Sequence, residues 1–158
     1  MSDSPTKLLA ELVAEKNVLT ELPSEDHASV VKSLVQNMVA TGLIAKTQAS
    51  TVSRLINERE ALGSTALGDG VAIPHARIGF NDKPLIAFAL LKKGQGFNSL
   101  DGGSVHFVFL ALTPKDDDAI HRAVLQAITA FVRKPVHRKA LSGCRTSADV
   151  RSVFLDYA

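Results

Sequence analysis

Three residues have side chains and positions suited to handling an anionic group: His75, Arg59 and His121. His75 follows the apolar stretch 70–74, which ends in Pro74. Because a proline fixes its own φ and restricts the residue before it, the imidazole is held on a stiff backbone at a predicted strand end, where α/β proteins place their sites. The alternative is a histidine that only hydrogen-bonds a loop carbonyl.

Arg59 lies on the apolar stripe of a predicted helix, four residues after Leu55 and three after Ile56. A guanidinium is always charged and is rarely buried without a partner. Three interpretations remain open at this point. Arg59 forms an internal ion pair with Asp69, extends outward to solvent, or lines a pocket for an anion such as phosphate, whose oxygens suit the guanidinium fork.

His121 falls in the first turns of the helix that is predicted after Pro114, an electropositive location that favours anions. The alternative is a surface histidine. A neutral imidazole nitrogen is a nucleophile for phosphorus near neutral pH, and an arginine with a second histidine can bind the phosphate oxygens. The three residues together therefore predict phosphoryl transfer. Since the chain has no Gly-Lys-Ser/Thr sequence, we expect no Walker-type nucleotide site.

The apolar periodicity predicts helices at both ends of the chain and a buried sheet between them. Helical spacing predicts helices over 8–15, over 30–39, after a Thr47 cap, after Pro114, near 136–141 and after a capping box at Thr146 and Asp149. Apolar runs predict strands over 17–22, 71–73, 85–91 and 105–112. This pattern implies an α/β sandwich.

The composition is that of one soluble globular domain. The 158 residues carry a net charge of only +2, with no basic stripe, one Tyr and seven Phe, so we expect no nucleic-acid partner. The single cysteine, Cys144, excludes an internal disulfide, and we interpret its thiol as inert. No signal peptide or run long enough to span a bilayer is visible. We therefore expect a cytoplasmic protein without membrane insertion.

The stretch from Arg59 to His75, REALGSTALGDGVAIPH, resembles the signature of a known family. These are the enzyme IIA proteins of the fructose/mannitol class of the bacterial phosphoenolpyruvate-dependent sugar phosphotransferase system, including their nitrogen-regulatory branch. Residues 105–114 followed by His121 resemble the second block of that family. The resemblance covers residues 8–157, so that 1–158 is identified as a single enzyme IIA domain of this type.

The resemblance implies that His75 is phosphorylated, that Arg59 neutralises the phosphate, that His121 is the second active-site histidine, and that Thr65 and Asp69 support the site. It implies a three-layer α/β/α sandwich with a mixed sheet of roughly five strands. It also implies HPr or a nitrogen-branch carrier as phosphoryl donor, and a cysteine of an enzyme IIB or a regulatory target as partner. The family needs no metal and no organic cofactor.

Three hypotheses of function follow. The first is a free-standing nitrogen-regulatory protein whose phosphorylation controls protein binding, which the absence of an attached IIB or membrane domain favours. The second is a sugar-transport IIA that passes the phosphoryl group to a IIB cysteine. The third is a metal-dependent hydrolase that uses His75, His121 and Asp69, although nothing in the spacing requires such a ligand set. We expect His27 and His137 to face solvent.

Overall fold

The computed structural model describes residues 5–22, 26–95 and 103–158, which form six α-helices and six strands. The helices are α1 Pro5–Leu12, α2 His27–Ala40, α3 Ala49–Ala61, α4 Asp118–Val132, α5 Pro135–Ser142 and α6 Ser147–Asp156. The strands are β1 Val18–Leu19, β2 Ala66–Gly68, β3 Val71–Ala72, β4 His75–Ile78, β5 Leu85–Gln95 and β6 Val105–Pro114. Short 3-10 turns lie at Glu15–Asn17 and Lys46–Gln48.

The sheet is mixed and centred on β6. Its order is β1-β5-β6-β3-β2, and β4 also pairs with β6. Strand β6 runs antiparallel to β5 and parallel to both β3 and β4, while β1 is parallel to β5 and β2 is antiparallel to β3. The predicted mixed sheet between helices is confirmed. It has six strands where roughly five were expected.

Alternation along the two long strands builds the predicted three layers. Ile86, Phe88 and Leu90 of β5 pack in the cluster that includes residues of α1, α4, α5 and α6. Ala87 and Ala89 face the other way, into the cluster formed with α2 and α3. Because helices cover both faces, these strands read as continuous apolar runs and not as alternating ones.

Strands β3 and β4 form one line along β6 that is interrupted at Pro74. Val71 lies opposite Phe107 and His75 opposite Ala111, so the register does not change across the interruption. Proline has no N–H for the ladder, but the Pro74 carbonyl still accepts a hydrogen bond from the Ala111 N–H at 3.0 Å. The sequence placed His75 at the end of a strand, whereas it is the first residue of the next one.

Two predicted helix starts were wrong. Thr47 lies inside the 3-10 turn, and α3 begins after Gln48 without a side-chain cap. Pro114 ends β6, and α4 is capped instead by Asp117, whose Oδ1 accepts a hydrogen bond from the Ile120 N–H at 3.0 Å. In both places a polar residue closer to the helix takes the capping position. The capping box of Thr146 and Asp149 is confirmed.

Two histidines that were expected to face solvent do not. His137 is 4% exposed, lies against the Phe131 and Tyr157 rings, and its Nδ1 donates to the Phe131 carbonyl at 2.7 Å. His27 begins α2 half-buried, with its Nε2 3.7 Å from Glu60 Oε1. In the parts of the chain that the structure describes, no helix has the length and apolar character needed to cross a bilayer.

Candidate active site

A cleft of about 380 Å³ lies where β4, α3 and α4 meet. Its lining residues come from these three elements and the turn after α3: Leu55, Glu58, Arg59, Leu62, His75, Ala76, Arg77 and His121. The cleft therefore brings together the two histidines and the arginine that the sequence singled out.

The hydrogen bond of His75 determines which of its nitrogens is free to react. Its Nδ1 lies 2.7 Å from the Ile73 carbonyl oxygen. Because a carbonyl only accepts, Nδ1 carries the proton, and in the neutral ring Nε2 keeps its lone pair. Burial lowers the pKa of His75; the Ile73 hydrogen bond opposes this effect, and the charge of Arg59 adds to it. The neutral nucleophilic form is thus favoured near neutral pH.

The register between β4 and β6 explains how strand and helix side chains converge. Ala76 and Ile78 of β4 pack with α2 and α3, so the alternate residues His75 and Arg77 face α4. Arg77 lies directly opposite Thr113 of β6. The ring centroids of His75 and His121 are 5.9 Å apart, which leaves room for a phosphoryl group to contact both imidazoles.

A hydrogen bond to strand β6 orients the His121 ring. Its Nδ1 lies 2.7 Å from the Thr113 hydroxyl, which is almost fully buried. Burial lowers the pKa of His121, and the charge of Arg77 lowers it further. A neutral His121 that accepts the Thr113 proton at Nδ1 carries its own proton on Nε2, from which it can donate to a phosphate oxygen.

Arg59 is half-buried in the last turn of α3, where its Nη1 donates to the Gly63 carbonyl at 2.9 Å. Asp69, the ion-pair partner in one interpretation of this arginine, instead has its Oδ1 4.0 Å from Arg138 Nη2. The Gly63 bond uses one of its five donors, so the guanidinium can bind further oxygens. Its positive charge lowers the pKa of His75.

Thr65 forms hydrogen bonds to the C-terminal turn of α3. Its hydroxyl donates to Glu60 Oε1, and its backbone N–H donates to the same oxygen at 3.3 Å. Burial raises the pKa of Glu60, but nearby His27 and the hydrogen bonds from Thr65 outweigh burial, and the net pKa is lowered. Glu60 is therefore ionised, and Thr65 contributes by holding the residue next to Arg59.

Asp69 is a turn residue and lies away from the cleft. It precedes Gly70 in the two-residue turn between β2 and β3, and both have positive φ, 55° and 80°, as type I′ hairpin turns require. Its Oδ1 is 4.0 Å from Arg138 Nη2. Asp69 is six residues before His75, about 20 Å at a strand rise of about 3.3 Å per residue. The proposed metal-ligand set of His75, His121 and Asp69 therefore does not converge.

A larger cleft of about 910 Å³ lies beside β5 and α5 and is lined by several cations and by Cys144. Burial raises the pKa of the Cys144 thiol, and nearby Asp149 adds to this effect. A thiol of raised pKa is a poor nucleophile near neutral pH. This agrees with the sequence interpretation of Cys144 as inert.

Comparison with known families identifies the domain. Residues 11–157 match the family described as "Phosphoenolpyruvate-dependent sugar phosphotransferase system, EIIA 2". The chain is an enzyme IIA domain of this family. The resemblance inferred from the stretch 59–75 is thereby confirmed, and the domain is a component of a phosphotransferase system.

Curated relatives of this enzyme IIA domain include nitrogen-regulatory and sugar-specific proteins. A nitrogen regulatory protein of Bradyrhizobium diazoefficiens is 32% identical over 145 residues, which cover 92% of this chain and 93% of the relative. The fructose-specific EIIABC component of Bacillus subtilis is 29% identical over 84% of this chain. That alignment covers 21% of the Bacillus protein, so this chain spans only a small part of it.

Solved structures share the fold of the enzyme IIA domain. The nitrogen regulatory protein IIA-Ntr of Neisseria meningitidis superposes with a TM-score of 0.81 at 23% identity, over 93% of this chain and 99% of that one. A complex of Escherichia coli mannitol enzyme IIA with phosphorylated enzyme IIB matches with a TM-score of 0.73 at 14% identity, over 92% and 99% of the chains. At these identities the likeness concerns the fold alone.

Proposed function

We propose that His75 accepts a phosphoryl group on Nε2 and passes it on, and that its phosphorylation state controls which proteins this chain binds. The hydrogen bond from Nδ1 to the Ile73 carbonyl carries the proposal, because it leaves Nε2 as the lone pair at the cleft. Membership of the enzyme IIA family supports phosphoryl transfer as the chemistry.

In the transfer step, the Nε2 lone pair of His75 attacks the donor's phosphorus. The bond between phosphorus and the donor's nitrogen breaks, and its electron pair stays with that nitrogen. The proton on Nδ1 remains on the ring, hydrogen-bonded to Ile73. The phosphorylated ring is then an imidazolium, which leaves readily when the next acceptor attacks. Arg59 and His121 offset the charge on the phosphate oxygens during both steps.

Both partners have to reach the same nitrogen, so donor and acceptor use one surface in turn. Leu62 at the rim of the cleft is 85% exposed and offers them an apolar contact. The donor is HPr or the equivalent carrier of the nitrogen branch. We further propose that residues 1–158 act as one enzyme IIA unit in the cytoplasm, where such carriers are found.

The nitrogen-regulatory role is supported by the 32% identical relative, whose alignment covers nearly all of both chains. A phosphoryl group adds about −1.5 to −2 charges to the surface, which is enough to change partner choice by electrostatics. The alternative, supported by the fructose-specific relative, is transfer to a cysteine of enzyme IIB for sugar uptake. The two roles share the first step and differ in the acceptor.

The first experiment is incubation of the chain with phosphoenolpyruvate, enzyme I and HPr, followed by intact-mass measurement at alkaline pH. We expect a gain of one acid-labile phosphoryl group, which should be absent in His75→Ala and retained in the control His106→Gln. His106 does not line the cleft, and its Nδ1 donates to the Leu91 carbonyl. No gain by the folded chain, with HPr or with the nitrogen-branch carrier, would refute the proposal.

Arg59→Ala tests the role of the cation in the cleft. Loss of a charge-assisted hydrogen bond of about 1.5–3 kcal/mol predicts a phosphorylation rate about ten- to a hundredfold lower in a folded protein. The matched control is Arg133→Ala, an exposed arginine after α4 that does not line the cleft. Equal rates in the two variants would contradict an anion-binding role for Arg59.

The acceptor is identified by mixing the phosphorylated chain with enzyme IIB. Appearance of phosphocysteine on IIB supports the sugar-transport alternative. Retention of the phosphoryl group, together with protein binding that differs between wild type and His75→Ala, supports the regulatory role.

A further inference from the structure

Arg77 lines the cleft and carries a buried donor that has no hydrogen-bond partner among the described residues. It lies two residues after His75 on β4, on the same face of the strand, and it lines the same cleft. Its side chain is 37% exposed as a whole, yet its Nε is buried and has no hydrogen-bond partner among the described residues. A buried N–H without an acceptor is costly and uncommon, which indicates a group whose partner arrives later.

Asp118 holds the other end of this guanidinium. Its Oδ1 accepts a hydrogen bond from Arg77 Nη2, and Asp118 is 70% exposed at the first residue of α4, one turn before His121. The hydrogen bond from Arg77 and its charge lower the pKa of the Asp118 carboxyl. An exposed carboxylate is hydrated once released, so the pair is weak and can be exchanged for a stronger anion.

We propose that Arg77 is a second phosphate ligand, which binds the phosphoryl group on His75 through Nε and Nη2 and gives up its pairing with Asp118 when the group arrives. The Nε–Nη2 edge of a guanidinium can bind two oxygens of a phosphate side by side. A phosphoryl group of nearly two negative charges attracts this edge more strongly than one exposed carboxylate does. The inference rests on the proposed function of His75 and extends it.

The exchange links the chemistry to regulation. In the unmodified chain, Asp118 and Arg77 neutralise each other at the rim of the cleft. In the phosphorylated chain, Arg77 is engaged by phosphate and Asp118 is left as an uncompensated anion at the start of α4. Partners would therefore meet two new negative centres, the phosphate and Asp118, from one modification.

Phosphoramidate is a suitable probe because it phosphorylates imidazole without a protein partner. The Nε2 lone pair of His75 forms the new P–N bond, and the old P–N bond breaks with release of ammonia. The rate of phosphohistidine formation and its half-life are measured by intact mass for wild type, Arg77→Gln, Arg77→Lys and Asp118→Asn. The control is Arg122→Gln, an exposed arginine near Asp118 that does not line the cleft.

We expect Arg77→Gln to be phosphorylated at least about tenfold more slowly than wild type, as the loss of one hydrogen bond between charged groups predicts. Arg77→Lys keeps the positive charge but loses the paired donors of the guanidinium, so its phosphorylation rate should lie between those of wild type and Arg77→Gln. Asp118→Asn should react at least as fast as wild type, since Arg77 is then free. Arg122→Gln should stay within about twofold, because screening weakens an exposed charge.

A second readout distinguishes phosphate binding from a structural role. The pKa of the phosphoryl group on His75, followed by phosphorus NMR, should be higher in Arg77→Gln than in wild type, because the bound cation stabilises the dianion. Equal rates and an equal phosphoryl pKa in wild type and Arg77→Gln would overturn the inference while leaving His75 as the acceptor. A folded wild type that gains no phosphoryl group on His75 from either phosphoramidate or HPr would overturn both proposals.

Discussion

Thr113 controls the second histidine of the cleft, and Thr113→Val isolates that contribution. The substitution keeps the shape of the side chain and removes only the hydroxyl that lies 2.7 Å from His121 Nδ1. It leaves a half-buried imidazole nitrogen without its protein partner, at a cost of about 1–2 kcal/mol. If that orientation is required in the transition state, the phosphorylation rate falls by about 5- to 30-fold.

The assay is the initial rate of phosphorylation of His75 by phosphorylated HPr, measured by intact mass. Thr129→Val is the matched control, because the Thr129 hydroxyl is exposed on α4 and donates only to the Leu125 carbonyl. His121→Ala sets the largest effect that loss of the ring can have. Nitrogen NMR of His121 should also show a change from the Nε2–H form to a mixture of tautomers in Thr113→Val.

A wild-type rate in Thr113→Val, together with a slow His121→Ala, would refute this reasoning. It would mean that His121 acts without being oriented by the sheet.

Two further predictions concern pH and the β2–β3 turn. Burial and the charge of Arg59 lower the pKa of His75, and burial and Arg77 lower that of His121. The rate of phosphorylation by phosphoramidate should therefore stay high below the ordinary histidine pKa of about 6.5 and fall only at more acid pH. In Arg59→Gln, the pH at which the rate is half its maximum should be higher than in wild type. The free energy of unfolding should decrease as the pH falls through about 6.5, because these histidines take up protons in the unfolded chain before they do so in the folded one. A free energy of unfolding that stays constant over this pH range would contradict the lowered pKa values. Asparagine and glycine both tolerate positive φ, so Asp69→Asn and Asp69→Gly should be phosphorylated at a rate within about twofold of wild type. A large loss of rate would indicate that Asp69 does contribute to the site.

The parts that sequence predicted well are those with long periodic signals. Val124, Ile128 and Phe131 recur at helical spacing and are fully buried in α4, and the long apolar runs became β5 and β6. His75 and His121 were placed in one site, and they line one cleft. These features depend on local pattern and on a resemblance of specific residues, both of which are visible in one chain.

The parts that sequence missed depend on tertiary pairing. Strand β4 has only four residues and follows a proline, so nothing local distinguishes it from a loop; its register on β6 defines it. The β2–β3 hairpin did have a signal, since an Asp-Gly pair is typical of a two-residue turn. Thr113 and Arg77 were not predicted as site residues, because their role arises from being opposite each other on neighbouring strands.

The hairpin gives a physical meaning to the spacing between Arg59 and His75. Arg59 is held at the end of α3, and His75 is held on β4 by its pairing with Ala111. The chain between them forms β2, turns at Asp69 and Gly70, and returns through β3, whose register on β6 continues into β4. A one-residue insertion between the turn and His75 would shift β4 by one position and exchange the faces of its side chains. The residues between Arg59 and His75 therefore position the His75 imidazole on the face of the sheet where His121 and Arg77 lie.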